Sequence, residues 1–459
     1  MTETIMNSIE DVLVDSLNFK LSPGASYIID RSPSCVWSAA GSQTYVSGTG
    51  GRLIRVPITS STGWLDPASV RVVFTIQNNG TGDQILRPLS TGHNFFRRCR
   101  AIFSGATTDD IDYQHRTSEM LSILSSRSHR ENLAVENFGR IWDDSSVYPK
   151  GGDFIGKPAT FGGIAAGQYQ TISIKPLCGL LNQPLYLPLC FSSNGLVLEF
   201  ELVSNGADAV VAPNTLGTNS ATDFFNSSNT STAWTISDFH VIGDIITLDS
   251  ALQNSYSEFI LSGKALNIPY NTYITMLQNT AATNNMSVNV SRAVSRLKTV
   301  YFSFDNATLN LATSSTAKDS IVKEFNSFVH PMNGTYSFAN EIEYSIQIGS
   351  KILPCFAVRS ASQSYYELKK SLGIQDSAYH SMSVDSLDKY IRDHFIIGCD
   401  CEKILSASWT GLNTKSGDLM VIRAKIANGG TAQIPVKIYI TLHCDNVLEI
   451  RDAGAVVYD

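Results

Sequence analysis

Charge is scarce in this chain. Asp, Glu, Lys and Arg make up 16% of its 459 residues, and the acids outnumber the bases for a formal net charge of −7. Binding nucleic acid without regard to sequence requires clustered Lys and Arg, so little or no direct nucleic-acid binding is expected. Long apolar runs are also missing. Nothing reaches the roughly 18 consecutive apolar residues that cross a bilayer as a helix, and no membrane span is predicted. The opening stretch, MTETIMNSIEDVLVDSLNFKL, mixes acids among its apolar residues, with neither a basic start nor a continuous apolar centre. It therefore does not read as a secretory signal. The spacing of Ile5, Ile9, Val12, Leu13 and Leu17 suits a short amphipathic helix or an arm that packs on something.

The usual signatures of chemistry are lacking as well. The sequence holds no GxxxxGKS or GxxxxGKT, no HExxH, no GxSxG and no CxxC. Eight cysteines are scattered, at Cys35, Cys99, Cys178, Cys190, Cys355, Cys399, Cys401 and Cys444, and only Cys399 and Cys401 are close. No second close pair completes a four-ligand site, so these read as reduced thiols packed as small apolar groups in a reducing compartment. The histidines are dispersed, without the His-x-His spacing of a metal centre inside a barrel. Asp109, Asp110, Asp112 and His115 form the densest acidic cluster, which reads as the first turn of a helix rather than a metal site. Arg97, Arg98 and Arg100 form a small basic cluster flanked by Phe95, Phe96 and Phe103, and read as strand residues at an interface or reaching solvent. No catalytic, cofactor-binding or metal-ligating residue is assigned, no cofactor is expected, and the chain is not expected to be an enzyme.

What is abundant is alternation. In Leu196–Val203 the residues Leu196, Leu198, Phe200 and Leu202 share one face of an extended chain, and Glu199 and Glu201 lie on the other. That period of two marks a half-buried strand. Tyr169–Ile174 alternates likewise, and between the two runs lies an apolar stretch whose Pro176, Pro184 and Pro188 exclude a long helix or a central strand. Further strands are predicted at 52–58, 70–77, 95–103, 234–246, 265–276, 286–293, 297–304, 342–348, 395–399, 418–426 and 436–443, after an irregular lead-in over 24–47. Helices are predicted after Asp109, between a Thr247 cap and a Gly263 stop, at 362–372 and at 384–395.

The halves repeat. Val70–Gln77 leads to Cys99–Gly105 and then a helix, and Lys298–Asp305 leads to Ser345–Gly349 and then a helix. Thr171–Lys175 is matched to Asp418–Ala424, and Leu196–Val203 to Val436–His443. The expectation is an all-β chain of two tandem eight-stranded jelly rolls with short inserted helices. Its expected parts are an N-terminal arm over 1–23, a first jelly roll over 24–246, a helical connection over 247–264 and a second jelly roll over 265–459.

The run KPLCGLLNQPLYLPLC followed by LVLEFELV resembles the middle of the major capsid proteins of polinton-like viruses, relatives of those of virophages, adintoviruses and larger DNA viruses. Ser237–Lys264, Ala357–Gly373, Gly411–Lys425 and His443–Asp459 are similar to later parts of that family, in the same order. The resemblance implies a double jelly-roll protomer and a homotrimer whose six barrels make a nearly hexagonal capsomer of an icosahedral shell around a DNA genome. It implies neighbouring capsomers, penton and minor or cement proteins as partners. It places the chain in the virion, assembled inside the infected host cell. The alternative is a trimeric glycan-binding attachment or spike protein built on a β-sandwich.

Overall fold

The structure is a computed structural model. It describes residues 27–39, 44–48, 52–138, 163–210, 230–280, 283–304, 328, 330–331, 341–375, 382, 384, 387, 390–391, 394–403, 410–415, 419–426, 437–452 and 454–459. The predicted arm and half of the residues of the predicted helix at 384–395 lie outside these residues.

The first half contains strands β1 (Ile28–Trp37), β2 (Leu53–Ile58), β3 (Arg71–Asn78), β4 (Phe96–Phe103), β5 (Ala106–Ile111), β6 (Tyr169–Ile174), β7 (Leu196–Leu202) and β8 (Trp234–Leu248). Helices α1 (Gln114–Leu124) and α2 (Arg127–Glu136) fall between β5 and β6. Helix α3 (Ser250–Leu261) leads to the second half. There the strands are β9 (Leu266–Asn279), β10 (Asn285–Val290), β11 (Leu297–Phe304), β12 (Ile342–Ile348), β13 (Lys351–Val358), β14 (Ile397–Asp400), β15 (Met420–Ile426), β16 (Lys437–Arg451) and β17 (Gly454–Tyr458). Helix α4 (Ala361–Ser371) follows β13.

The sheet order identifies the fold. In the first half one sheet runs β1-β8-β3-β6 and the facing one β2-β7-β4-β5; the two-residue strands Tyr45–Val46 and Trp64–Leu65 add to β8. In the second half the orders are β9-β16-β11-β14 and β10-β15-β12-β13, with β17 added beside β16. Adding eight to each label of the first half reproduces the second. This pairing of first with last strand and second with penultimate, in two facing antiparallel sheets, is a jelly roll, and the chain contains it twice.

Alternation explains the cores. The inward Leu196, Leu198, Phe200 and Leu202 of β7 are fully buried, and Glu199 and Glu201 lie outward. Phe200 sits 5.2 Å from Phe96 and 5.4 Å from Phe239 between ring centroids, and Phe74 completes this aromatic centre of the first sandwich. The second sandwich centres on Phe302, Phe304, Tyr344 and Phe395. The proline-rich connection between β6 and β7 closes one end of the first barrel with two buried 3₁₀ turns, at Gly179–Asn182 and Leu189–Phe191. All eight cysteines are free thiols; Cys99 and Cys178 lie 3.1 Å apart in the first core, and Cys399 and Cys401 are buried in the second half.

Several expectations need correcting. Residues 28–37 are not an irregular lead-in but the edge strand β1, in antiparallel register with β8. Asp109 and Asp110 do not start a helix; they belong to β5, and the helix begins at Gln114 after Tyr113 adopts a left-handed conformation. Asp249, not Thr247, caps α3, its carboxylate accepting the Ala251 N–H. Gly263, at φ +83°, does end that helix, in a conformation that suits glycine. Two repeat assignments are one strand out: β6 corresponds to β14, not to 418–424, and β7 corresponds to β15, not to 436–443. The four-residue β14 is too short to show a period of two, which leaves the repeat unmarked there.

Candidate functional site, the inter-barrel junction

The first barrel meets the second along β5, α1 and the turn at Cys178–Asn182, which together cover the edge strand β9 and the outer face of the sheet β9-β16-β11. Residues that point away from the second core, Tyr439 and Thr441 on β16 and Ser303 on β11, are buried all the same. Strands β11 and β16 are therefore buried on both faces along much of their length, and the polar Thr299, Ser303 and Thr441 are buried with them.

Polar groups hold the junction. The buried Asp109 carboxylate accepts the N–H groups of Gly179 at 3.0 Å and Leu180 at 3.1 Å, and the Thr272 hydroxyl of β9 at 2.7 Å. Burial pushes its pKa up, and these three donors hold it back. The Tyr270 hydroxyl donates to the Thr108 carbonyl at 2.7 Å. On α1, Thr117 is 2.6 Å from Thr275, which is 2.9 Å from Thr441, so a row of hydroxyls links helix to sheet. The buried Arg116 donates to the Ser303 hydroxyl and the Phe304 carbonyl, both at 3.3 Å, and its guanidinium lies 3.7 Å from the centre of the Phe328 ring. Unlike the desolvated carboxylate, this cation is met by ring faces as well as by oxygen atoms.

Apolar groups interlock as well. Met120 and Ile123 of α1 belong to the second core, whereas Ile268, Tyr270, Leu448 and Ile450 of the second half belong to the first. Gly179 is required by close approach: a Cβ there would lie 1.6 Å from the Asn271 carbonyl oxygen. On its other side α1 is tied to its own barrel, where Glu119 accepts from Ser90 and Asn94, and Gln114 bonds His93 at 2.9 Å. Burial lowers His93 to about 4 and His115, also beside Arg116, to about 3, so both imidazoles are neutral at pH 7. A groove of about 930 Å³ opens beside the junction between α1, α2, the segment 175–184 and β9. In it, burial and Arg71 lower Lys175 to about 8.

The acidic cluster seen in the sequence does not converge. Asp109 faces the junction, Asp110 forms a bidentate pair with Arg98 at 2.6–2.7 Å, and Asp112 lies 3.4 Å from Arg97. The arginines are thereby committed too, with Arg100 3.6 Å from Glu199, which Arg55 also approaches at 3.6 Å. They form a charge ladder across the outer face of β2-β7-β4-β5. Cys399 and Cys401 are buried thiols at the end of β14. The junction residues Asp109, Arg116, Thr117 and Thr272 were not recognisable from sequence, because their role depends on contacts between residues more than 150 positions apart.

No protein-family model matches the sequence, and neither does any curated protein. Solved structures do match in fold. PBCV-1 VP54, fitted into a reconstruction of the virophage Sputnik, superposes with a TM-score of 0.58 at 12% identity, covering 96% of this chain and 98% of its own. The Faustovirus major capsid protein gives 0.58 at 8% identity, over 97% and 94% of the two chains. A chain of the Sputnik virophage structure gives 0.51 at 11% identity, over 97% and 92%. With both barrels of each chain matched end to end, this protein is a double jelly roll, with the fold of the PBCV-1, Sputnik and Faustovirus proteins.

Proposed function

We propose that this chain is a viral major capsid protein: a structural, non-catalytic subunit that forms homotrimeric, nearly hexagonal capsomers tiling an icosahedral shell around a DNA genome. The observation that supports it best is the interlocked junction between two barrels of one topology. A shell protein needs blocks of fixed shape, because closed tiling tolerates little variation. The exchange of Met120 and Ile123 for Ile268 and Leu448 across the junction makes two sandwiches into one block. Three such blocks supply six similar barrels, which is how a trimer fills a hexagonal position.

On this reading the domains divide as an arm over 1–23, barrels over 24–246 and 265–459, and a connection over 247–264, with α3 in that connection. The partners are neighbouring capsomers, penton and minor capsid proteins, and the protein resides in the virion after assembly in the host cell. Many weak contacts suffice, since each capsomer has several neighbours. Electron microscopy of the purified protein, alone and with its minor capsid partners, tests this. Flat arrays or closed shells of hexagonally packed units are expected; a protein that never forms either, at concentrations where related capsid proteins do, would contradict it.

A further inference from the structure

We propose that Cys99 and Cys178 are a cross-link site, where a peroxide joins the two sulfur atoms in a disulfide that fastens strand β4 to the turn holding the second barrel. The bond needs only the folded chain, so it stands or falls apart from the capsomer reading.

Both residues are fully buried, and their sulfur atoms meet at 3.1 Å in the first core. Cys99 lies in the middle of β4, in register with Phe200 of β7 on one side and Ile111 of β5 on the other, so its backbone is held from both sides. Cys178 precedes the 3₁₀ turn Gly179–Asn182, and its carbonyl accepts the Leu181 N–H at 3.1 Å and the Asn182 side-chain amide at 2.8 Å. A disulfide is about 2.0 Å long, so a shift of about 1 Å between two positioned residues forms it. The bond would close a loop of about 80 residues and so remove much freedom from the unfolded chain. The second barrel serves as an internal comparison. Cys401 follows β14, the counterpart of β6, but β12, the counterpart of β4, has no cysteine. The pair is thus particular to the barrel whose turn grips β9, where the Gly179 and Leu180 N–H groups go to Asp109 and Gly179 abuts Asn271.

The chemistry balances with hydrogen peroxide as the oxidant. One sulfur, its proton lost, attacks a peroxide oxygen; the O–O bond breaks, the released hydroxide takes up that proton and leaves as water, and a sulfenic acid remains. The other sulfur then attacks the sulfenic sulfur, the S–S bond forms, and the hydroxyl departs with the second thiol's proton as another water. The attacking form is the thiolate. The hydrogen bond with Cys99 and burial hold Cys178 well toward the thiol, so the pair stays reduced while the chain folds and closes slowly afterwards. A small oxidant has a route through the groove beside the junction, whose lining includes Leu177 and Gly179 on either side of Cys178. Thiols persist in a reducing cell and oxidise outside it. On the capsid reading the bond therefore forms after assembly and stiffens the junction of a finished particle.

The test uses the full chain with the exposed Cys35 and Cys355 replaced by serine, purified under reductant and then treated with hydrogen peroxide in native buffer. Alkylation in denaturant followed by peptide mapping is expected to find Cys99 joined to Cys178. The joined protein should melt about 3–5 °C higher than the reduced one. Its Gly179 and Leu180 amides should exchange more slowly, and reductant should reverse both changes. Cys178→Ala should show neither change; should that variant fold poorly, the reversal by reductant in the parent gives the same reading. Thiols that stay free to alkylation after peroxide, that oxidise to sulfinic acids without joining, or that join only once urea has unfolded the chain would overturn the assignment. A bond that forms in the native protein but lowers its melting temperature would overturn its role in fastening the turn.

Discussion

Replacing Asp109 by alanine is the sharpest local test of the junction. The carboxylate accepts from two backbone N–H groups of the first barrel and from Thr272 of the second, all in a site closed to water. Alanine leaves both N–H groups without a partner, and a buried unsatisfied donor costs about 1–3 kcal/mol. Against this stands a relief term, because burial already disfavours the charged carboxylate, as the upward shift of its pKa shows. The donors are expected to win, since two N–H groups and the Thr272 hydroxyl all lose their acceptor. A net loss of about 2–4 kcal/mol is expected. Asp109→Asn keeps one acceptor oxygen and should cost about half as much. Urea melts give the free energies, and hydrogen exchange locates them: the Gly179 and Leu180 amides should lose protection in Asp109→Ala while the β7 amides keep theirs. A loss below about 0.5 kcal/mol, with both amides still protected, would refute the reasoning.

Phe200→Ala should cost roughly 3–5 kcal/mol in the same melts, as for other fully buried phenylalanines; a loss under about 1 kcal/mol would show that the aromatic centre of the first sandwich is not packed as described. Acid should destabilise the protein through its buried histidines. His115 and His330 are lowered by burial to about 3 and His443 to about 4, so the unfolded chain binds their protons first. Their stabilising contribution is complete above pH ~6.5 and falls by about 1.4 kcal/mol per pH unit for each as the pH drops from there, toward 3 for His115 and His330 and toward 4 for His443. The raised Asp109 acts in the opposite sense, gaining stability as the pH falls, so Asp109→Asn should steepen the acid loss; melts across pH 3–7 that show no decline would contradict this. Removing residues 1–18 of the predicted arm should leave the melting temperature of the free capsomer unchanged and impair shell assembly, and a clear drop in melting temperature with normal assembly would reject an external role for that segment.

How much was legible in the sequence varied with how the residues are used. Leu196–Leu202 could be read correctly because one face of β7 meets a core and the other meets water, so the period of two survives. Strands β11 and β16 keep the period in their sequences, as in Ile438, Ile440 and Leu442 against Tyr439, Thr441 and His443, but are buried on both faces because α1 covers the outer one. Strand β1 gave no signal, because an edge strand exposed along most of its length has no buried face to reveal. Strand β13 was missed for the same reason, with Pro354 adding to the disguise. The junction was invisible for a different reason. A Thr-to-Thr bond or an Asp that accepts backbone N–H groups uses common residue types, and only the pairing of the two barrels brings them together. The misreading of Asp109 as a helix start came from a sound local rule overridden by a tertiary contact.

The central claim is that two interlocked barrels per chain make a trimeric block of six. Native mass spectrometry of the purified protein, with class averages of the same sample, tests it most directly. The account predicts three copies of the 50.0 kDa chain, about 150 kDa, with a hexagonal outline. A stable monomer or a two-fold dimer with no hexagonal projection, at the concentrations used for assembly, would contradict it.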